Sequence, residues 1–547
     1  MDPRNPSVIL ASSNDYCGVY AGSPADGPFV PSGPIWLGYY RSENGGLSFV
    51  SSLVPGYPGD SSPYANLANI RTASAGDPVI AWDGHGRVFF GSESSGDPAG
   101  TQKTFGDVWV ARFENPAGEG GSTINDGKRF RGSVIVEKGS SAPNLLGKFN
   151  DKTAIQADRT GGVCDGFVYF AWSRFTNYSS NIYFSRSTDH GETWSSPMLL
   201  TSNVMNVQDP DISVTANGHV YVTFGQGSTN SGQKDAVLIA KSVDCGATFP
   251  KAVVVTSFIP YNAQDISSPQ PVPASAGPDD PLSAEGTAAS GSLARDCGDF
   301  QDACQSRFTF FRRATAPRSS ADQSDKVHEW VYIVYDPTKP GTEVSTGTSY
   351  GSISPGIGSQ SAIYFVRFDG ANGTATAPAL IDPQSKGHQF FPDISADGGV
   401  LHAVWWDSRY DRNYSSMRPI GNDASGITNP ALDVRTAIST DAGNTWIPAT
   451  KNLNGVQSNP NYEQFDNRSV PFAGDYLWIT SVGSSAFATW TDWRDTVAGT
   501  DPREPGSIDH ADVKQCRTFN ASTQTWTSDM CPHSGGIDQN IYGARTP

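Results

Sequence analysis

What this chain lacks narrows its class. No apolar run approaches the roughly 20 residues a helix needs to cross a bilayer, and no stretch shows the apolar recurrence of a convincing amphipathic helix. Positive charge is scarce. The 38 Lys and Arg stand against 55 Asp and Glu, for a net charge of -17. Phosphate contacts need clustered Lys and Arg, so the balance argues against nucleic acid as a partner. Eight His never fall into HExxH or another ligand spacing, and seven Cys contain no CxxC, so no structural zinc site is expected. No secretory signal is visible, and the chain reads as a mature form.

What is present points to many short strands. Gly 57, Pro 38 and 11% aromatics suit turns and packed sheet edges rather than helices. Seven Cys admit at most three internal disulfides. Cys297 with Cys304, and Cys516 with Cys531, are close in sequence within polar loops and are expected to pair, leaving Cys17 over. Such pairing favours an oxidising, extracellular setting.

One eight-residue turn is spelled four times. Ser187-Thr188-Asp189-His190-Gly191-Glu192-Thr193-Trp194 and Ser439-Thr440-Asp441-Ala442-Gly443-Asn444-Thr445-Trp446 read S-x-D-x-G-x-T-W. Ser242–Phe249 keeps the pattern with Phe for Trp, and Ser42–Phe49 is a softened copy with Asn44 for Asp. Asp or Asn folds its side chain onto backbone N–H groups, Gly takes a positive φ, and the aromatic packs beneath the turn. One copy is a corner; several at blade-like spacing indicate a repeat protein.

The repeat resembles the Asp box, or bacterial neuraminidase repeat, of sialidase-like β-propellers. That resemblance implies an all-β fold, a single β-propeller over residues 1–547 built of four-stranded antiparallel blades. It does not name an activity, since such propellers include sialidases, other glycosidases, lyases and binding modules. Strand patterns place seven blades at roughly residues 1–56, 74–140, 149–202, 207–258, 298–383, 388–457 and 471–545, or six if the first or fifth is misread. Asn540–Arg545 matches the third-strand sequence Asn181–Arg186. The last blade then ends a strand short, with the N-terminal segment as candidate donor. Insertions interrupt the pattern at 259–296, 337–360, 408–433 and 493–536.

In such blades the boxes lie on one face, and the insertions and crossovers on the other. Cys164, in a first-to-second loop, and Cys245, inside a box, share the box face of adjacent blades, so a third disulfide is expected there. On the insertion-bearing face two polar series converge. Asp77, Asp151, Asp209, Asp393 and Asp475 precede innermost strands; Glu93, Arg174, Asp336, Asp407 with Arg409, and Asp492 with Arg494 end second strands. Close carboxylates raise one another's pKa, as a glycosidase acid requires. Asp407, Arg409, Asp492 and Arg494 are the candidate catalytic residues. Arg174, Asp151, Asp209 and Asp475 are candidate substrate contacts, with Tyr462 and Glu463 as a neighbouring pair. The competing reading makes Trp-x-Asp-x-Arg a repeated packing device. Carboxylates with loop carbonyls also suit calcium, although no EF-hand loop is present.

The sialidase resemblance implies an early Arg-Ile-Pro beginning a three-arginine clamp, and none occurs. Arg71 is placed early but is followed by Thr72-Ala73. The expectation is a secreted protein acting on carbohydrate or glycoconjugate, foremost a glycoside hydrolase. A non-catalytic glycan- or protein-binding propeller, calcium-dependent or not, is the alternative, and a polysaccharide lyase the third.

Overall fold

The structure, a computed structural model, describes residues 1–15, 36–57, 60, 62–72, 74–95, 105–141, 147–176, 179–227, 234–259, 316–342, 360–412, 430–463, 474–497, 519–520, 525–526 and 539–546. Seven antiparallel sheets follow one another along the chain as the blades of a β-propeller. Among the described residues the only helical turns are three short 3-10 segments, Ala65–Leu67, Thr123–Asn125 and Pro460–Glu463. No described helix is long and apolar enough to cross a membrane.

Blade four shows the plan. Val207–Val214, Val220–Gln226, Asp235–Ser242 and Val253–Phe258 pair in sequence order. The second strands are apolar nearly throughout because neighbouring blades cover both of their faces. In Val168–Thr176 the first six residues are buried in succession and Phe175 again, and Trp172, Trp405 and Trp406 are wholly inside. Blade five is degenerate, as its sequence suggests: three strands, Arg318–Ser320, Trp330–Tyr335 and Tyr364–Asp369, with two short edge pieces. In the last insertion Phe519–Asn520 pairs with Thr525–Trp526 as a short hairpin.

The four turns close with one hydrogen-bond net. In blade three the Ser187 hydroxyl donates to Asp189 Oδ1 (2.7 Å) and accepts from Gly191 N (2.8 Å), while Asp189 accepts from Thr193 N (2.8 Å) and Thr193 Oγ1 (2.5 Å). Ser242–Thr248 and Ser439–Thr445 repeat it bond for bond. Asn44 does the same work in blade one with Ser42, Gly46 and Ser48. Gly246 sits at φ 73°, and a Cβ there would come within 2.9 Å of Phe184, so the position is closed to other residues. Strand register puts all four turns at the end of their blades opposite the starts of the inner strands: Ser242 lies level with Val220 and Val214, whereas Val207 lies level with Gln226.

The box is also a clasp between blades. Phe249, Trp446 and Phe49 pack on Phe184, Phe365 and Phe487 of the preceding blade, with ring centroids 4.8, 5.3 and 5.8 Å apart. The carbonyl just before the box Gly accepts an arginine from the preceding blade's third strand at every copy. Arg112 donates to His190 O (3.2 Å), Arg186 to Cys245 O (2.7 Å), Arg367 to Ala442 O (2.9 Å) and Arg545 to Gly45 O (2.8 Å). At the boxless fifth blade Lys241 reaches Gly370 O (2.8 Å) instead.

That last arginine corrects the expected closure. Among the described residues no N-terminal segment pairs with Asn540–Arg545, which is the third strand of a three-stranded last sheet. Arg545 instead grips Gly45 and Pro6 of blade one, and Met1 and Ile9 pack on Phe487. A side-chain clasp serves because the sequence already carries it at the other box interfaces. Arg545→Ala should therefore lower unfolding free energy by about 1.5 kcal/mol or more, the scale of a hydrogen bond to a charged donor. The check is the urea midpoint at unchanged slope; an unmoved midpoint would place closure elsewhere.

Cys164 and Cys245 are joined in a disulfide, Cα atoms 6.0 Å apart, between blades three and four on the box face. Cys17, Cys297, Cys304, Cys516 and Cys531 lie outside the described residues.

Candidate functional site at the channel mouth

Four inner strands carry a bulge near their first residues, away from the boxes. Pairing with the second strand shifts between Gly76 and Val79, at Asp151 and Thr153, between Gln208 and Asp211, and between Phe390 and Asp393. The extra residue is left-handed in each: Asp77 (φ 49°), Lys152 (φ 50°), Asp209 (φ 55°) and Phe391 (φ 50°). Non-glycine residues in this region cost on the order of 1–3 kcal/mol, and such strain persists only where surroundings over-determine it. Here the previous blade does so: Asn14, Ser173 and Asp336 accept the N–H of Asp77 (2.7 Å), Asp209 (3.2 Å) and Phe391 (3.1 Å). Bulges re-aim side chains, and these converge on the channel mouth.

Lys152 Nζ donates to Asp475 Oδ2 at 2.8 Å and lies 3.5 Å from Asp77 Oδ2. The Tyr476 hydroxyl donates to the same Asp77 oxygen at 3.1 Å. Arg318 stacks over Tyr476 and Trp478, 4.9 and 4.7 Å from their centroids. Burial opposes the charge on Lys152, but Asp475, Tyr476 and Asp77 outweigh it and hold its pKa well above the usual value. Tyr476 is pushed well up by burial and by Asp77, so its hydroxyl is a donor rather than a nucleophile.

A narrow crevice, with room for little more than one water, opens among Arg318, Asp336, Phe391, Pro392, Asp475 and Tyr476. Asp336 is 1% exposed, and its Oδ1 has no hydrogen-bond partner among the described residues. Burial holds its carboxyl well above the ordinary carboxylate range, which favours the protonated form. The same cause raises Asp209 and Asp211 and pushes Asp393, with Asp211 adding to it, up to about 7. Arg318 is 4% exposed and, among the described residues, its guanidinium has no hydrogen-bond or ion-pair partner.

Asp393 offers a stability test. Its folded pKa lies above the unfolded value of about 3.9, so between those two pH values the folded state binds more protons and stability falls as pH rises, by about 1.4 kcal/mol per unit at most. Asp393→Asn removes that loss. The variant's melting temperature should gain on wild type between about pH 4 and pH 7; a constant difference would show that Asp393 does not titrate there.

The structure gives the two Asp-x-Arg pairs a different place from the shared rim expected of them. Asp407 is fully buried and accepts from Trp405 Nε1 (3.2 Å), Gln389 Nε2 (3.2 Å), Arg409 N (2.9 Å) and the Arg409 guanidinium, which also reaches Asp382. Asp492 repeats this with Trp490 Nε1 (2.9 Å), Arg494 N (2.9 Å) and Arg494 Nη2 (2.6 Å). Each module folds back on itself, because the i+2 arginine and the i−2 indole saturate the carboxylate locally. Arg174 is likewise held, by Asn150 (3.0 Å), Glu137 (3.0 Å) and the Tyr183 ring. Asp151 and Asp209 do reach the mouth, beside Lys152, and so does Asp475. Tyr462 packs into the core between blades six and seven; Glu463 ends the same helical turn, and its side chain falls outside the described residues. Sequence reasoning did not single out Lys152, Arg318 or Tyr476. Among the described residues no group of three or more His, Cys, Asp or Glu is arranged to hold a metal ion.

No family model and no curated protein matches this sequence. Solved structures resemble the chain at low identity. The Hadza microbial sialidase Hz136 is 12% identical over 72% of this chain and 63% of its own, with a TM-score of 0.36. A GH93 α-L-arabinofuranosidase of Fusarium graminearum, solved with arabinobiose, is 11% identical over 78% and 89%, TM-score 0.37. A PL25 ulvan lyase is 12% identical over 74% and 77%, TM-score 0.34. The chain thus spans less than two thirds of that sialidase. Likenesses of this degree carry no argument about a reaction, and the propeller rests on the chain's own sheets and clasps.

Proposed function

We propose that this chain is a secreted carbohydrate-active propeller that hydrolyses a glycosidic bond at the channel mouth. The observation that supports it is one crevice lined by two carboxyl groups in unlike settings: Asp336, buried, with its pKa raised by that burial, and Asp475, ion-paired to Lys152. A glycosidase needs such a pair, an acid to protonate the leaving oxygen and a carboxylate to act as nucleophile or base. Asp336 takes the first role and Asp475 the second. Asp407 and Asp492, saturated by their own indoles and arginines, fasten the ends of their second strands instead.

The crevice has room for little more than a water, so a sugar would sit across its mouth rather than inside it. Arg318, a desolvated guanidinium that makes no hydrogen bond or ion pair among the described residues, suits a carboxylate on a sugar ring, since guanidinium and carboxylate match as two-pronged partners. Tyr476 and Trp478 give it an aromatic bed. The inter-blade disulfide fits an oxidising compartment. The test is a turnover screen on uronosides, sialosides and neutral pyranosides and furanosides, with and without a chelator. Turnover confined to acidic sugars and indifferent to the chelator supports the reading. Chelator-sensitive glycan binding without any turnover would establish a binding module instead.

A further inference from the structure

The same bulge recurs in four blades, and its left-handed residue is Asp77, Asp209 or Phe391 in three of them but Lys152 in the fourth. Asp tolerates that backbone region comparatively well, whereas a long unbranched side chain has no local hydrogen bond to offset the strain. A lysine in this slot is therefore held by what its far end meets. The side chain is 7% exposed, and its ammonium lies between Asp77 of the preceding blade two at 3.5 Å and Asp475 of blade seven, which is not adjacent, at 2.8 Å, with the Tyr476 ring 5.3 Å away. Facing it are also Asp151 of its own strand, Asp209 of blade four and, beyond Tyr476, Arg318 of blade five.

We propose that Lys152 is a positioning residue that holds the Asp475 carboxylate ionised and aimed into the crevice it shares with Asp336. This rests on the hydrolase reading given above. Without the ammonium, Asp475 would sit near Asp77 and Asp209, with Arg318 as the nearby cation among the described residues, and carboxylates that crowd one another take up protons. A protonated Asp475 is neither nucleophile nor base. Lys152 thus acts through Asp475 and touches no substrate itself. Its strained backbone is the cost of bringing a cation into a slot where two other blades place an acid.

The test compares wild type with Lys152→Met and Lys152→Arg by two readouts. The first is the pH dependence of kcat on the best substrate from the screen. The second needs no turnover: the titration of the Asp475 carboxyl carbon in protein labelled at Asp, its signal assigned by Asp475→Asn. In Lys152→Met the acidic limb of kcat and the Asp475 midpoint should both move up by about 1–3 pH units, the range an opposite charge at this distance exerts, with KM little changed. Lys152→Arg keeps the charge and should keep both within about half a unit, far less than that shift. An Asp475 midpoint that stays put in Lys152→Met, or moves equally in Lys152→Arg, overturns the proposal, whatever happens to the melting temperature. A midpoint that moves as expected in a protein without turnover upholds the role of Lys152 and removes the hydrolase reading.

Discussion

Asp336→Asn and Asp475→Asn are each expected to cut turnover by about 10²–10⁴-fold, the usual worth of a general acid or base, with more from Asp475 if it bonds the sugar. Asn keeps the shape of both side chains. Asp336 loses the proton that a leaving oxygen requires; Asp475 loses the charge that Lys152 orients. Folding should survive at both positions, because Phe391 N can still bond an amide oxygen at 336 and the crevice gains no cavity. Asp407→Asn and Asp492→Asn should behave the other way. Each carboxylate anchors an indole, a backbone N–H and an arginine, and removing its charge leaves a half-buried cation less well satisfied. Melting temperature should fall there while turnover per folded molecule holds. Loss of turnover confined to the 407 and 492 variants would move the chemistry to those pairs.

Breaking the Cys164–Cys245 bond carries the largest expected effect on stability. The two cysteines are 81 residues apart, and closing so long a loop in the unfolded chain is worth about 4.5 kcal/mol in the chain-entropy account. The bond also lies where the Arg186 clasp and the Phe249–Phe184 contact already draw blade three onto the box of blade four, so reduction removes one of several ties at that interface. Cys164→Ala with Cys245→Ala should lower the urea midpoint and raise the slope, because the freed unfolded chain exposes more surface. A loss below about 1 kcal/mol would mean the unfolded chain is already restrained there and the entropy account fails.

The fold was legible wherever its bonds are local. Ser, Asp, Gly and Thr of each box meet within seven residues, so the motif announces the turn and the spacing announces the blade. The clasp that joins blades was not legible, because Arg186 and Cys245 are 59 residues apart and Arg545 and Gly45 are 500 apart. An arginine ending a third strand looks like an ordinary exposed residue until the neighbouring carbonyl is seen. Closure was misread for the same reason.

Of the site, the acidic series was legible and its exceptions were not. Asp209-Pro210-Asp211-Ile212 and Phe391-Pro392-Asp393-Ile394 repeat one strand start, and Ala316-Pro317-Arg318 is the same start with the sign reversed. Lys152 is a second reversal, in the copy without proline. Single-copy departures carry the chemistry in a repeat protein, and a search for what recurs passes over them. The recurring Trp-x-Asp-x-Arg drew attention to Asp407 and Asp492 because it recurs, and it recurs because it is a packing module.

The dependence of Asp336→Asn on the leaving group tests the central claim most directly. A general acid matters most where the departing oxygen is a poor leaving group and hardly at all where it leaves unaided. With paired substrates sharing one sugar, the variant should lose about 10²–10⁴-fold in kcat/KM on the methyl glycoside and less than about 10-fold on the dinitrophenyl glycoside. An equal loss on both would show that Asp336 donates no proton to the leaving oxygen, and the channel mouth would not be the hydrolytic centre described here.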